Sequence, residues 1–130
     1  MCKIVGSVDH LGRPTIRVAI AGREDSVLGT VDTGFNGEIM MTAGDALHLG
    51  LRPRDEAERV ELGDGASVKV KLCRMKITWL DREREVVVFV SKRTDASREG
   101  PRLLIGTRLL TPHLLFVDFE RRTVEIEPQS

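Results

Sequence analysis

An aspartate, a hydroxyl and a glycine stand together at Asp32-Thr33-Gly34, directly after the strand-like run Val27 to Val31. A carboxylate leaving the end of a buried strand sits beside low-dielectric surroundings, so it needs a partner or must hold a proton. Thr33 brings a hydroxyl that both donates and accepts and can tie the loop to a neighbour. Gly34 lets the backbone turn tightly and frees an N–H to face the carboxylate. The chemistry open to such a group is acid–base hydrolysis. One carboxylate takes a proton from water while another gives one to the substrate. Two that share a proton do both jobs, because close like charges do not both ionise. The chain has one such loop, so the second carboxylate has to come from a second copy, Asp32 facing its symmetry mate across a two-fold axis. Alone the tripeptide is a weak signal. It arises by chance in roughly a few per cent of chains this long, and Asp and Gly also fill ordinary β-turn roles.

Other chemistries are poorly supplied. His10, His48 and His113 are scattered at spacings that fit no helical or hairpin ligand pair, and Cys2 and Cys73 form no CxxC, so neither a metal site, a cofactor nor a disulfide framework is expected. Ser7-Val8-Asp9-His10 and the lone Cys73 have no activating motif around them. Gly63-Asp64-Gly65 is not a phosphate loop, since no Lys-Ser/Thr follows and strands flank it. It reads either as an ordinary hairpin turn or as the tip of a flap. The 130 residues carry 20 basic and 20 acidic side chains, a formal net charge of zero, which lacks the basic excess of a nucleic-acid footprint. No apolar run approaches about 18 residues, and Met1 to Val5 shows no secretory h-region, so no membrane span and a cytoplasmic location are expected.

The elements that must position Asp32 are mostly strands. Ile16, Val18 and Ile20 alternate with Arg17 and Ala19, and a turn at Gly22 to Asp25 leads into Val27 to Val31. Thr42 to Gly50 reads as a short helix, with Thr42 as cap, Asp45 three residues later and Gly50 as the closing residue. Val60 to Leu62 and Val68 to Leu72 flank the glycine-rich tip. A second hairpin joins Met75–Leu80 to Val86–Val90 through a charged turn over Asp81 to Glu85. Ser91 to Gly100 reads as a loop, Leu103 to Gly106 as a short buried strand, and Thr107 to Leu110 as one helical turn stopped by Pro112. Leu114–Val117 and Thr123–Ile126 form a closing hairpin. Eight or nine short strands, one clear helix and a turn about every ten residues favour a mainly β fold, a small closed barrel or sandwich, over a parallel α/β fold. Residues 1–130 read as one domain.

Order and spacing from about Thr15 to Ile126 resemble the retropepsin-like aspartic proteases, above all the small single-domain bacterial and archaeal members. The resemblance rests on Thr30-Val31-Asp32-Thr33-Gly34-Phe35-Asn36-Gly37, on the hairpin tip Gly63-Asp64-Gly65, and on Leu104-Ile105-Gly106. It implies an acid-protease-like barrel with one lobe per chain, a homodimeric aspartic endopeptidase, and a peptide or protein substrate laid across the dimer axis. Asp32, Thr33 and Gly34 would form the catalytic loop, with the Thr33 hydroxyls bracing the two loops. Phe35, Asn36, Gly63, Asp64 and Gly65 would contact substrate, the last three as a closing flap. The chain departs from the pattern in three places. Phe35 stands where a small residue, commonly alanine, is usual, and either narrows the cleft or joins the core. Asn36 stands where retroviral enzymes place an acid. Thr107, not arginine, follows Gly106, with Arg108 one step on, so the viral ion pair is expected to be absent. These departures leave a second expectation open: a retropepsin-fold dimerisation or peptide-binding module with little or no hydrolysis.

Overall fold

Alternation of apolar and polar residues becomes strand along most of the chain. The computed structural model describes residues 2–54, 57–61, 65–98 and 100–129. These form strands β1 (Ile4–Val8), β2 (Pro14–Ile20), β3 (Val27–Val31), β4 (Ile39–Thr42), β5 (Ala57–Glu61), β6 (Ser67–Trp79), β7 (Arg82–Ser91), β8 (Arg102–Ile105), β9 (Leu114–Asp118) and β10 (Thr123–Glu127). Two short helices, α1 (Ala43–His48) and α2 (Thr107–Leu110), complete the elements.

Six of the strands close a barrel in the order β2-β3-β8-β4-β7-β6, and β6 returns to β2 through Ala19 opposite Thr78 and Ile20 opposite Ile77. Closure gives each of these six strands a neighbour on both sides, and the strands left at the ends of the sheet are β5 and β9. The same side of β2 that meets β6 at its end meets β1 at its start, with Ser7 opposite Thr15. From there β1, β10 and β9 continue as an antiparallel extension, while β5 extends the sheet beyond β6. The barrel interior is filled by β-branched and aliphatic side chains, among them Ile16, Ile39, Ile77, Val86, Val88 and Ile105, all within 1% of full burial. A second, smaller cluster gathers Phe35, Met40 and Val70, with Val68, Leu72, Phe89 and Leu104 against it.

The structure corrects the sequence reading in three respects. Strand β4 was not expected as a strand: Ile39, Met40 and Met41 are all buried between β7 and β8, so no alternation marks them. Strand β1 has an exposed Val5 facing away from a half-buried Ile4, which masks its period. The charged segment Arg82 to Glu85 is strand, not turn. Leu80 and Asp81, with φ of 50° and 64°, make the two-residue turn alone, the backbone pattern that matches strand twist. The charges beyond it are absorbed across the ladder, where Lys76 lies opposite Glu85 and Arg74 Nη1 meets the Glu85 carboxylate at 3.0 Å.

Helix α1 ends as the sequence reading expected. Thr42 Oγ1 accepts from Asp45 N at 3.1 Å, and Gly50, at φ +72°, carries the chain out of the helix. Gly50 N–H donates to Leu47 O and Leu51 N–H to Ala46 O, the paired bonds of a Schellman ending.

Candidate active site

Strands β3 and β4 are joined by residues 32–38 but are not neighbours. Strand β8 lies between them, parallel to β3 with Val31 beside Ile105, and antiparallel to β4 with Ile39 opposite Ile105. The connecting segment must therefore cross the end of β8, and it is stitched to that end. Asp32 N–H donates to Ile105 O at 2.8 Å and Gly106 N–H to Glu38 O at 3.0 Å. The first turn of α2 adds Thr107 N–H to Phe35 O at 2.8 Å, Thr107 Oγ1 to the same oxygen at 3.3 Å, and Arg108 N–H to Gly37 O at 3.2 Å. Such close approach needs glycine on both sides. A Cβ on Gly106 would run into Gly37 O and the Phe35 ring, and one on Gly37 would run into the Phe35 and Phe89 rings. The sequence pairing of Asp32-Thr33-Gly34 with Leu104-Ile105-Gly106 is thus a single corner in space.

At this corner Asp32 is half-buried, while Thr33, Gly34 and Asn36 are exposed. The Asp32 carboxylate accepts from Gly34 N–H at 2.9 Å, the bond the sequence reading assigned to that glycine. Among the described residues no other group donates to it, so most of its acceptor capacity faces outward. The Thr33 hydroxyl likewise makes no hydrogen bond among the described residues. Asp32 lines an open groove of about 1060 Å³ whose apolar floor is made by the side chains of Met40 and Leu104 and which is bordered by Val68 of β6.

Phe35 does not line this groove. Its side chain is fully buried, edge-on to Phe89 with ring centroids 5.9 Å apart, in the cluster beneath the β5–β6 hairpin. Of the two positions the sequence reading left open for this side chain, groove wall or core, the structure shows the core. The ring is a plug that holds the loop down, and removing water from it stabilises the loop by about 2 kcal/mol. Gly63 and Asp64 lie outside the described residues. Gly65 is described, with φ +83° and open space where a side chain would be.

Two carboxylates that sequence reasoning missed frame the site. Glu38, where the loop enters β4, is almost fully buried; its Oε1 accepts from Val87 N–H at 3.0 Å and its Oε2 from Arg84 Nη2 at 2.7 Å. This ion pair supports the loop, although neither residue occupies the positions of the viral pair. Asp45 of α1 is 3% exposed and accepts from Ser97 N–H at 2.9 Å, Ser97 Oγ at 2.9 Å and Arg102 N–H at 3.3 Å. It holds the segment before β8 against the helix. Thr42 Oγ1, donating to Asp95 O at 2.7 Å, and Ala43 N–H, donating to Arg93 O at 2.7 Å, hold the same segment. Cys73 is buried in the barrel and burial pushes its thiol pKa up, the setting of an inert cysteine. Among the described residues no group of three or more His, Cys, Asp or Glu side chains is arranged to hold a metal ion, and no helix is long and apolar enough to cross a membrane.

No protein-family model matches the sequence, and no curated protein matches it either. Among solved structures the chain is similar to a retropepsin-like aspartic protease from Rickettsia conorii, with a TM-score of 0.66 over 95% of this chain and 89% of that one, at 18% sequence identity. The fold is thus retropepsin-like: mainly β, a closed six-stranded barrel with two short helices.

Proposed function

We propose that the chain is an aspartic endopeptidase that hydrolyses peptide bonds as a homodimer, each subunit supplying one Asp32. The observation that carries this reading is the state of the Asp32 carboxylate. It is fixed by its strand end and by Gly34 N–H, lines a groove with an apolar floor, and is left largely without donors. A carboxylate held firmly and solvated on one side only is suited to meet a water molecule and a second carboxylate. The shared fold with a retropepsin-like aspartic protease supports the same reading.

In the dimer the two Asp32 side chains share one proton. The ionised member takes a proton from the water that attacks the peptide carbonyl. The protonated member donates to the carbonyl oxygen, giving a gem-diol; as the C–N bond breaks, the proton taken from water passes to the leaving amine and a diol hydroxyl returns its proton to the other carboxylate. The exposed Thr33 hydroxyl is free to brace the partner loop. Substrate lies extended in the groove, pairing its backbone with strand edges, and the hairpin of β5 and β6 covers it. The protein functions as a single domain, without cofactor or metal.

The test is peptide cleavage by wild type and by Asp32→Asn. Wild type cleaves with an acid-to-neutral pH optimum and is blocked by a statine-type transition-state mimic, whereas the variant folds and does not cleave. Cleavage that survives in the variant refutes the assignment. The alternative, a binding module without hydrolysis, draws its support from Phe35, from Asn36 and from the missing viral ion pair. The first and third weaken as objections, since Phe35 is core and the Glu38–Arg84 pair supports the loop instead, while the exposed Asn36 still stands where viral members carry an acid.

A further inference from the structure

The chain is electrically neutral as a whole, but its groove is not. Among the described residues, the charged side chains lining it are basic at Arg13, Arg59, Lys69, Lys92, Arg93 and Arg102 and acidic only at Asp32 and Asp45. Not all of this counts toward a field. Arg13 is held by the Asp9 carboxylate at 2.9 Å and Arg93 by Asp95 at 3.1 Å, while Arg102 has a partner of its own. On the acidic side, the Asp45 oxygens are taken by Ser97 and the Arg102 N–H, so they offer a ligand no acceptor. Lys69 and Lys92 remain as exposed ammonium groups with no ion pair among the described residues.

Two of these basic groups face each other on the covering hairpin. Arg59 of β5 lies directly opposite Lys69 of β6, and Arg59 Nη1 reaches the Ser67 hydroxyl at 3.3 Å rather than a carboxylate. Like charges directly across a strand pair destabilise it, and an anion bound between them relieves the repulsion. The floor, in contrast, is apolar at Met40 and Leu104, with Val68 beside them, while the side chains of Met41 and Leu103 are packed into the barrel core.

Resting on the peptidase reading above, we infer that this groove takes extended peptide segments in which acidic side chains alternate with apolar ones. The side chains of an extended strand point to opposite sides with a period of two. Apolar residues therefore reach the Met and Leu floor while every second residue meets the basic walls. Nucleic acid fits less well. Phosphates would find no partner on the apolar floor, and the Asp32 carboxylate would be set against them.

The inference is tested on the full-length Asp32→Asn protein, in which binding is read without turnover. Three labelled peptides of alternating sequence are compared by fluorescence anisotropy: Val with Glu, Val with Gln, and Val with Lys. Oligothymidylate serves as a fourth probe. At low ionic strength the Glu peptide is expected to bind at least about tenfold more tightly than the Gln peptide, and added salt erases the difference. Adding Lys69→Glu and Lys92→Glu to that protein removes about tenfold of the Glu-peptide affinity and favours the Lys peptide. Equal affinity for the Glu and Gln peptides, tighter binding of the Lys peptide or of oligothymidylate, or no peptide binding overturns the inference. The peptidase reading fails separately, through absence of cleavage by wild type. Cleavage without any preference for acidic peptides leaves that reading standing and removes this one.

Discussion

Asp32 and Asp45 line the same groove and differ in almost everything else. Asp45, in the first turn of α1, is 3% exposed and accepts three hydrogen bonds, from Ser97 N–H, Ser97 Oγ and Arg102 N–H. Asp32, at the open end of β3, is half-buried and accepts from Gly34 N–H alone among the described residues. A carboxylate surrounded by donors is spent on structure: its oxygens are satisfied, and its loss leaves buried N–H groups without acceptors. A carboxylate fixed by its backbone and short of donors is available for chemistry. Glu38 belongs with Asp45, since both of its oxygens are taken by Val87 and Arg84. The contrast separates residues that build the groove from the one proposed to work in it, and it yields a graded set of outcomes.

The largest effect is expected at the unsatisfied carboxylate. Asp32→Asn should lower peptide cleavage by at least about a thousandfold, since a neutral amide performs neither half of the proton traffic. Its thermal midpoint should stay close to that of wild type, measured by calorimetry. A large fall in that midpoint would place Asp32 on the structural side and dissolve the contrast.

Asp45→Ala should do the reverse in equilibrium urea unfolding, costing about 3 kcal/mol because the Ser97 and Arg102 backbone donors lose their acceptor together. Activity per folded molecule should fall far less than in the Asp32 variant. Glu38→Ala comes next. It leaves Val87 N–H unpaired and frees a half-exposed Arg84, so a cost of about 2 kcal/mol is expected in the same assay. If this variant proves as stable as wild type, the ion pair does not support the loop.

The smallest effect is a pH dependence that must be separated from that of catalysis. His113 has its pKa lowered below the ordinary 6.5, first by burial and then by the nearby Arg84 charge, and its Nδ1 is buried without a partner among the described residues. As pH falls below 6.5 the unfolded chain takes up a proton that the folded chain resists. Stability from this group is therefore complete above that pH and declines below it, down through the lowered folded value. His113→Gln should flatten the acid side of the stability curve without shifting the acid limb of cleavage. An unchanged stability slope would remove His113 from the account.

Much of this was legible in the sequence, for reasons of range. The Asp32 loop, the strand pairs around Gly22 and Gly50's helix ending are written in neighbouring residues, where turn chemistry and periodicity act directly. Leu104-Ile105-Gly106 was legible as a motif, though its meeting with Asp32 was supplied by family order rather than by local pattern. What stayed hidden depends on distant partners. Asp45 looked like half of a capping box, yet its carboxylate turns to Ser97 and Arg102, 52 and 57 positions away. Glu38 finds Arg84 across 46 positions, and Arg84 itself sat in a stretch that looked like a solvated turn. Phe35 was ambiguous in principle: a large ring beside a reactive loop serves equally as groove wall or as plug, and only the glycines at 37 and 106 make room for it as a plug.

The dyad itself is tested most directly by mixing subunits. Wild-type protein is held at a fixed concentration high enough to dimerise while Asp32→Asn protein is added to a ninefold excess, and cleavage is followed after subunit exchange. If one Asp32 from each subunit makes the active site, wild-type subunits are drawn into dead heterodimers and activity falls about tenfold. If activity is unchanged by the excess, each chain works alone, and the shared-proton account is wrong.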